Sequence, residues 1–76
     1  MSVDYSSPVP PHRQVAEIIR GRIRSGELKP GDRVPGVVAL MQEFGIARTT
    51  AGKVLALLRD EGLITVVPGW GSFVKE

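Results

Sequence analysis

The chain has 76 residues, with ten Lys and Arg against eight acids, a formal net charge of +2 and a sequence pI of about 9.5. That length suits one domain, which buries roughly 60% of the surface its unfolded chain exposes. No cysteine is present and His12 is the one histidine, which excludes disulfides, thiolate zinc sites and a histidine metal centre and fits a reducing cytoplasm.

The N-terminus "MSVDYSSPVPPH" has neither a basic start nor an apolar core, so it is no export signal. The longest apolar run, "VVALM", is far too short to span a bilayer, so a soluble, cytoplasmic protein is expected. Residues 1–10 are rich in Ser and Pro without apolar periodicity, which predicts a flexible arm ahead of one domain over 11–76.

Pro11 suits the first turn of a helix, and Val15, Ile18, Ile19 and Ile23 then recur on one helical face. Gly26 stops this helix and Pro30-Gly31 turns the chain. Gly21 lies inside it, at a cost of about 1 kcal/mol relative to Ala. Arg13, Arg20, Arg22 and Arg24 decorate its other sides, read mainly as a solvated face. In "DRVP", Pro35 holds Val34 extended, which allows one brief strand.

"GVVALMQEF" reads as a second, short helix whose core stripe is Val37, Leu40, Met41 and Phe44, with Val38 facing outward. Gly45 closes it, and Ile46 in the turn pins it to a third helix, "RTTAGKVLALLRDEG", ended by Gly62. The inward stripe of that helix is Ala51, Val54, Leu55 and Leu58. The segment "LITVVPGWGSFVKE" shifts to β-branched residues around a Pro-Gly-Trp-Gly tip, a hairpin signal.

Two helices joined by a short glycine-containing turn make a helix-turn-helix, and a hairpin directly after it makes a winged helix. The expected fold is therefore mainly α, three helices with a two- or three-stranded antiparallel sheet. The outer face of the third helix carries Arg48, Thr49, Gly52, Lys53 and Ala56, with Thr50 between the faces. Cations at its start suit base edges and phosphates in a major groove, while Gly52 and Ala56 let the backbone come close. Free amides at the helix N-terminus suit a phosphate. At the wing tip, Gly69 lets the backbone approach a phosphate. Trp70 either meets a sugar edge or minor groove, or folds back onto the sheet. No catalytic constellation is present: the carboxylates are dispersed and a lone His argues against a triad. No cofactor or metal is expected.

"SGELKPGDRVP" followed by "FGIARTT", "EGLI" and "PGWGSFV" resembles the GntR family of bacterial transcription regulators across about residues 11–75. The resemblance implies a winged helix-turn-helix that binds pseudo-palindromic operators as a homodimer. It transfers DNA contacts to Arg48, Thr49, Thr50 and Gly69. Family members usually place Glu-Arg where this chain has Val37-Val38, Ser or Thr at Ala47, an arginine at Gly52, and Arg or Lys at Trp70. These departures imply weaker or differently specific binding, with Lys53 a substitute for the missing arginine. Members usually continue into an effector-binding, dimerising domain; none is expected within this chain.

The reading that results is a sequence-specific DNA-binding transcription regulator, acting as a repressor and not an enzyme. Helix 48–61 reads the major groove and the wing 63–75 meets the flanking backbone or minor groove, with partners double-stranded DNA and a second copy. The helix-one arginines and Arg33 add diffuse attraction. The alternative is a winged-helix protein-interaction or dimerisation module, favoured by Val38, Leu57 and Trp70.

Overall fold

A computed structural model describes residues 3–76. The order of elements is α1 (Pro11–Arg24), β1 (Arg33–Val34), α2 (Val37–Phe44), α3 (Arg48–Asp60), β2 (Ile64–Val67) and β3 (Gly71–Val74). The three strands form one antiparallel sheet in the order β1-β3-β2. This is a winged helix: three helices, with an open sheet whose β2-β3 hairpin is the wing.

Local chemistry sets the boundaries. At the end of α3, Gly62 takes φ 77°. The Gly62 amide donates to the Arg59 carbonyl and the Leu63 amide to that of Leu58, the paired bonds of a Schellman motif. Gly45 closes α2 at φ 66°, its amide donating to the Met41 carbonyl. The left-handed glycine leaves only Gly45, Ile46 and Ala47 between α2 and α3. Neither Gly36 ahead of α2 nor Ala47 ahead of α3 makes a side-chain cap, so neither helix start has that local stabilisation.

The core lies where the three helices and the sheet meet. Val15, Ala16 and Ile19 of α1, Leu40 and Phe44 of α2, and Ala51, Val54 and Leu58 of α3 are buried together with Val34, Ile64 and Val74. Both α1 and α2 pack on α3, and β2 joins α3 to the wing. Ile46 is buried in the turn and fixes the angle between α2 and α3. Ala16 completes the α1 face beside Val15 and Ile19. Its small side chain gives little periodic signal, although it allows close approach of α3.

Three surface expectations change. Residues 3–10 are not free of the domain. Val3 is buried, the Gln14 side chain donates to the carbonyls of Asp4 and Val9, and the Tyr5 hydroxyl donates to the Gly45 carbonyl at 3.4 Å. A Gln one turn into α1 satisfies the preceding backbone, a role invisible to apolar periodicity; Met1 and Ser2 of the expected arm lie outside the described residues. Arg20 and Arg22 are not solvated decoration. Arg20 forks onto the Glu61 carboxylate, with Nη2 at 2.8 Å from both oxygens, and also pairs with Glu17. Arg22 pairs with Glu43 of α2 and lies over the Phe44 ring, 5.8 Å from its centroid. Leu57, named in support of a protein-interaction surface, is partly buried and packs against the core margin.

Candidate nucleic-acid interface

The α2–α3 turn delivers the start of α3 as an exposed helix terminus. Its first backbone bond is from the Ala51 amide to the Ala47 carbonyl, at 3.0 Å. The amides of Arg48, Thr49 and Thr50 are thus left without backbone acceptors among the described residues, and the first turn contains no acid. Unpaired amides and the positive end of the helix dipole point outward together, an arrangement that favours an anion.

The side chains continue that pattern. Arg48, Thr49, Gly52 and Lys53 are exposed, Thr50 and Ala56 are half-buried, and Ala51, Val54 and Leu58 turn inward. Among the described residues neither Arg48 nor Lys53 has an ion-pair partner. No acid occurs between Glu43 and Asp60, so Arg48, Lys53 and Arg59 set the charge of that whole stretch. At Gly52 an added Cβ would meet nothing within 4 Å, and its φ is not positive. The fold itself therefore has no need of glycine there.

The wing supplies a second group of residues on a separate element. Val67-Pro68-Gly69-Trp70 is a β-turn closed by a bond from the Trp70 amide to the Val67 carbonyl at 3.0 Å. Pro at the second position and Gly69 at φ 80° in the third are the chemistry of a type II turn. Gly69 is exposed, and Trp70 is 72% exposed, so the ring projects from the tip and does not fold onto the sheet. The sequence leaves both orientations open because a tip residue's rotamer depends on what packs beneath it.

One residue of the wing region carries more structure than its sequence position suggests. Arg33 of β1 donates from Nη2 to the Trp70 carbonyl at 3.0 Å. A Cβ at Gly71, where φ is 124°, would stand 3.1 Å from the Arg33 guanidinium. The guanidinium is laid across the strand because that position has no side chain.

The remaining cations divide by partner. Burial alone would disfavour the charged forms of Arg20 and Arg22, but hydrogen bonds to Glu61 and Glu43 outweigh it and raise both arginines above their ordinary value. The same bond from Arg22 holds the Glu43 carboxyl below the usual glutamate range. On the far N-terminal side, the Ser6 hydroxyl and amide both donate to the Asp4 carboxylate and lower its pKa. Among the described residues no cluster of His, Cys, Asp or Glu could hold a metal ion, and no helix is long and apolar enough to cross a membrane.

Comparison with known proteins places this geometry. Residues 11–74 match the family described as bacterial regulatory proteins, gntR family. The chain is 43% identical over 67 residues to the mannosyl-D-glycerate transport/metabolism system repressor MngR of Escherichia coli K12, covering 88% of this chain and 28% of that protein. It is 34% identical over 76 residues to the transcriptional repressor NagR of Bacillus subtilis 168, covering 100% of this chain and 31% of that one. The chain thus spans less than a third of these relatives. Among solved structures, the DNA-binding domain of AraR in complex with operator ORX1 superposes with a TM-score of 0.87 at 35% identity, covering 95% of this chain and 93% of that domain. YtrA from Sulfolobus acidocaldarius, a GntR-family transcription factor, gives 0.88 at 36% identity over 97% and 78%.

Proposed function

The chain belongs to the gntR family of bacterial regulatory proteins, and from that premise we propose that it binds operator DNA as a transcriptional repressor, without catalysis, in the cytoplasm. The start of α3 enters the major groove. Arg48 reads a base edge, Thr49 and Thr50 meet phosphate or a thymine methyl, and Lys53 takes the position one turn further along. Gly52 admits close backbone approach. Gly69 and Trp70 contact the flanking backbone or minor groove, and two copies bind a pseudo-palindromic site.

The single observation that carries this reading is the α3 terminus. Among the described residues three amides, Arg48 and Lys53 are left without partners there and face outward, with no acid between Glu43 and Asp60. The AraR domain in operator complexes, similar over nearly its whole length, supports it.

Selection of bound sequences from a random duplex pool tests the proposal. Enrichment of a pseudo-palindrome is expected. If two copies neutralise about six phosphates, the logarithm of affinity falls against log salt with a slope near −5. A pool that enriches nothing, together with no duplex binding at low salt, refutes it.

A second reading keeps the fold and gives the surface to protein. Val38 is 55% exposed at the start of α2, where the family resemblance leads one to expect an arginine. Sedimentation with and without duplex separates the two: a stable protein complex that excludes DNA supports the second.

A further inference from the structure

We propose that Arg33 is a positioning residue for the wing: it clamps the turn at the wing tip so that Trp70 and the Gly69 amide are presented in one orientation. The proposal rests on the DNA-binding reading for its purpose and on the wing geometry for its mechanism.

In the sheet, Arg33 lies opposite Phe73, so its diagonal neighbour on β3 is Gly71. A long side chain reaches that diagonal position in an antiparallel pair. The Arg33 side chain passes over Gly71 and donates to the Trp70 carbonyl at 3.0 Å. A Cβ at 71 would stand 3.1 Å from Nε and Nη2 and push the guanidinium aside by a few tenths of an ångström, and at φ 124° any residue but glycine would also be strained, so glycine leaves the arginine its place. The hairpin would otherwise be tied at its tip by little. β2 and β3 pair over four residues, and beyond Val67↔Gly71 the one backbone bond of the turn among the described residues runs from the Trp70 amide to the Val67 carbonyl. Trp70 is 72% exposed and offers no packing to hold it. Arg33 therefore supplies the bond that links the tip to a different strand, β1.

Lysine would keep the charge but not the clamp. A guanidinium is a flat, rigid fork that can lie over glycine and donate sideways, whereas an ammonium is a flexible point charge. This separates positioning from a direct phosphate contact.

Trp70 is the single tryptophan, so its fluorescence reports the tip alone. Fluorescence anisotropy of Trp70 is measured in the free protein for wild type, Arg33→Lys and Arg33→Met, with circular dichroism confirming that each is folded. Binding is then measured on a random-sequence duplex at low salt and on the duplex recovered by selection. In the free protein the anisotropy is expected to fall in both variants. Arg33→Lys is expected to weaken binding to the selected duplex about three- to tenfold (about 0.6–1.4 kcal/mol) without changing the salt slope. In a Trp70→Ala background the same substitution is expected to have less than a twofold effect, since the clamp then has nothing to present.

Unchanged free-state anisotropy in both variants overturns the clamp. So does normal DNA binding by Arg33→Lys alongside loss in Arg33→Met with a salt slope smaller by about one, which makes Arg33 a simple phosphate contact. An anisotropy drop in a protein whose wild type binds neither duplex leaves the clamp standing and removes the DNA-binding reading.

Discussion

Arg20 and Arg22 of α1 end on the carboxylates of Glu61, just past α3, and Glu43 of α2, whereas Arg48 and Lys53 of α3 end in solvent. The two helices are of similar length, 14 and 13 residues, and each has an interior glycine, Gly21 and Gly52. The side chains are alike in type; their partners differ. On α1 the Arg20 and Arg22 guanidinium groups join elements and their charge is spent inside the molecule. At the start of α3 the charges of Arg48 and Lys53 have no counterpart among the described residues and are left for a ligand. A count of arginines treats all of these as basic surface; the ion pairs separate Arg20 and Arg22 from Arg48 and Lys53.

The largest difference is expected at Arg48. Arg48→Ala is expected to weaken binding to the selected duplex by about 1–3 kcal/mol, roughly five- to 150-fold, and to relax preference at one base position. Arg24→Ala, at a side chain 71% exposed beside Glu17, is expected to change affinity far less. Equal losses in competition titrations would show that α3 is not the reading helix.

Next is the reverse experiment on α1. Arg20→Met removes the fork to Glu61, whose carboxylate is accessible enough to rehydrate, so the loss lies between that of an exposed and a buried pair. About 1 kcal/mol is expected, or roughly 4–8 °C in the melting temperature of so small a domain. Affinity of the folded protein should not move. A melting temperature unchanged by the substitution would show that the bridge contributes nothing.

The two interior glycines give the sharpest contrast. A Cβ at either would meet nothing within 4 Å. Gly21→Ala and Gly52→Ala should therefore each stabilise the domain by up to about 1 kcal/mol. Only Gly52→Ala is expected to weaken DNA binding, by crowding the groove. If both variants bind as wild type does, Gly52 is a tolerated flaw and not a clearance.

The smallest effect concerns acid. Arg22 holds the Glu43 carboxyl below its ordinary value, so that across the interval between the two values the unfolded chain binds more protons. Its stabilisation is complete above the ordinary glutamate range and is lost as pH falls through the lower, folded-state value. Glu43→Gln should flatten the acid limb of stability against pH in urea titrations. An acid limb as steep as that of wild type would assign the slope to other carboxylates.

Much of this was legible from local pattern. Left-handed glycines at 45 and 62, the stripe of Ala51, Val54 and Leu58, and the Pro-Gly pair at the wing each act within a few residues, so the bounds of α2 and α3 and the outward face of Arg48, Thr49, Gly52 and Lys53 follow from spacing. The packing of residues 3–10 did not follow, because it depends on the amide of Gln14 and one buried Val3. Nor did the packing of Leu57 against the core margin, since it lies off the inward stripe of Ala51, Val54 and Leu58.

The helix-turn-helix, the wing and the absence of acid from the α3 stretch are written in the amino-acid order, since they depend on short-range backbone preference and on composition. Which arginines are paired, that Trp70 projects, and that Arg33 reaches the wing tip across 37 positions of sequence emerge from the packed fold. Those are pairings between distant residues. A charge or an aromatic ring carries no record in sequence of the partner that will neutralise it, cover it or leave it exposed.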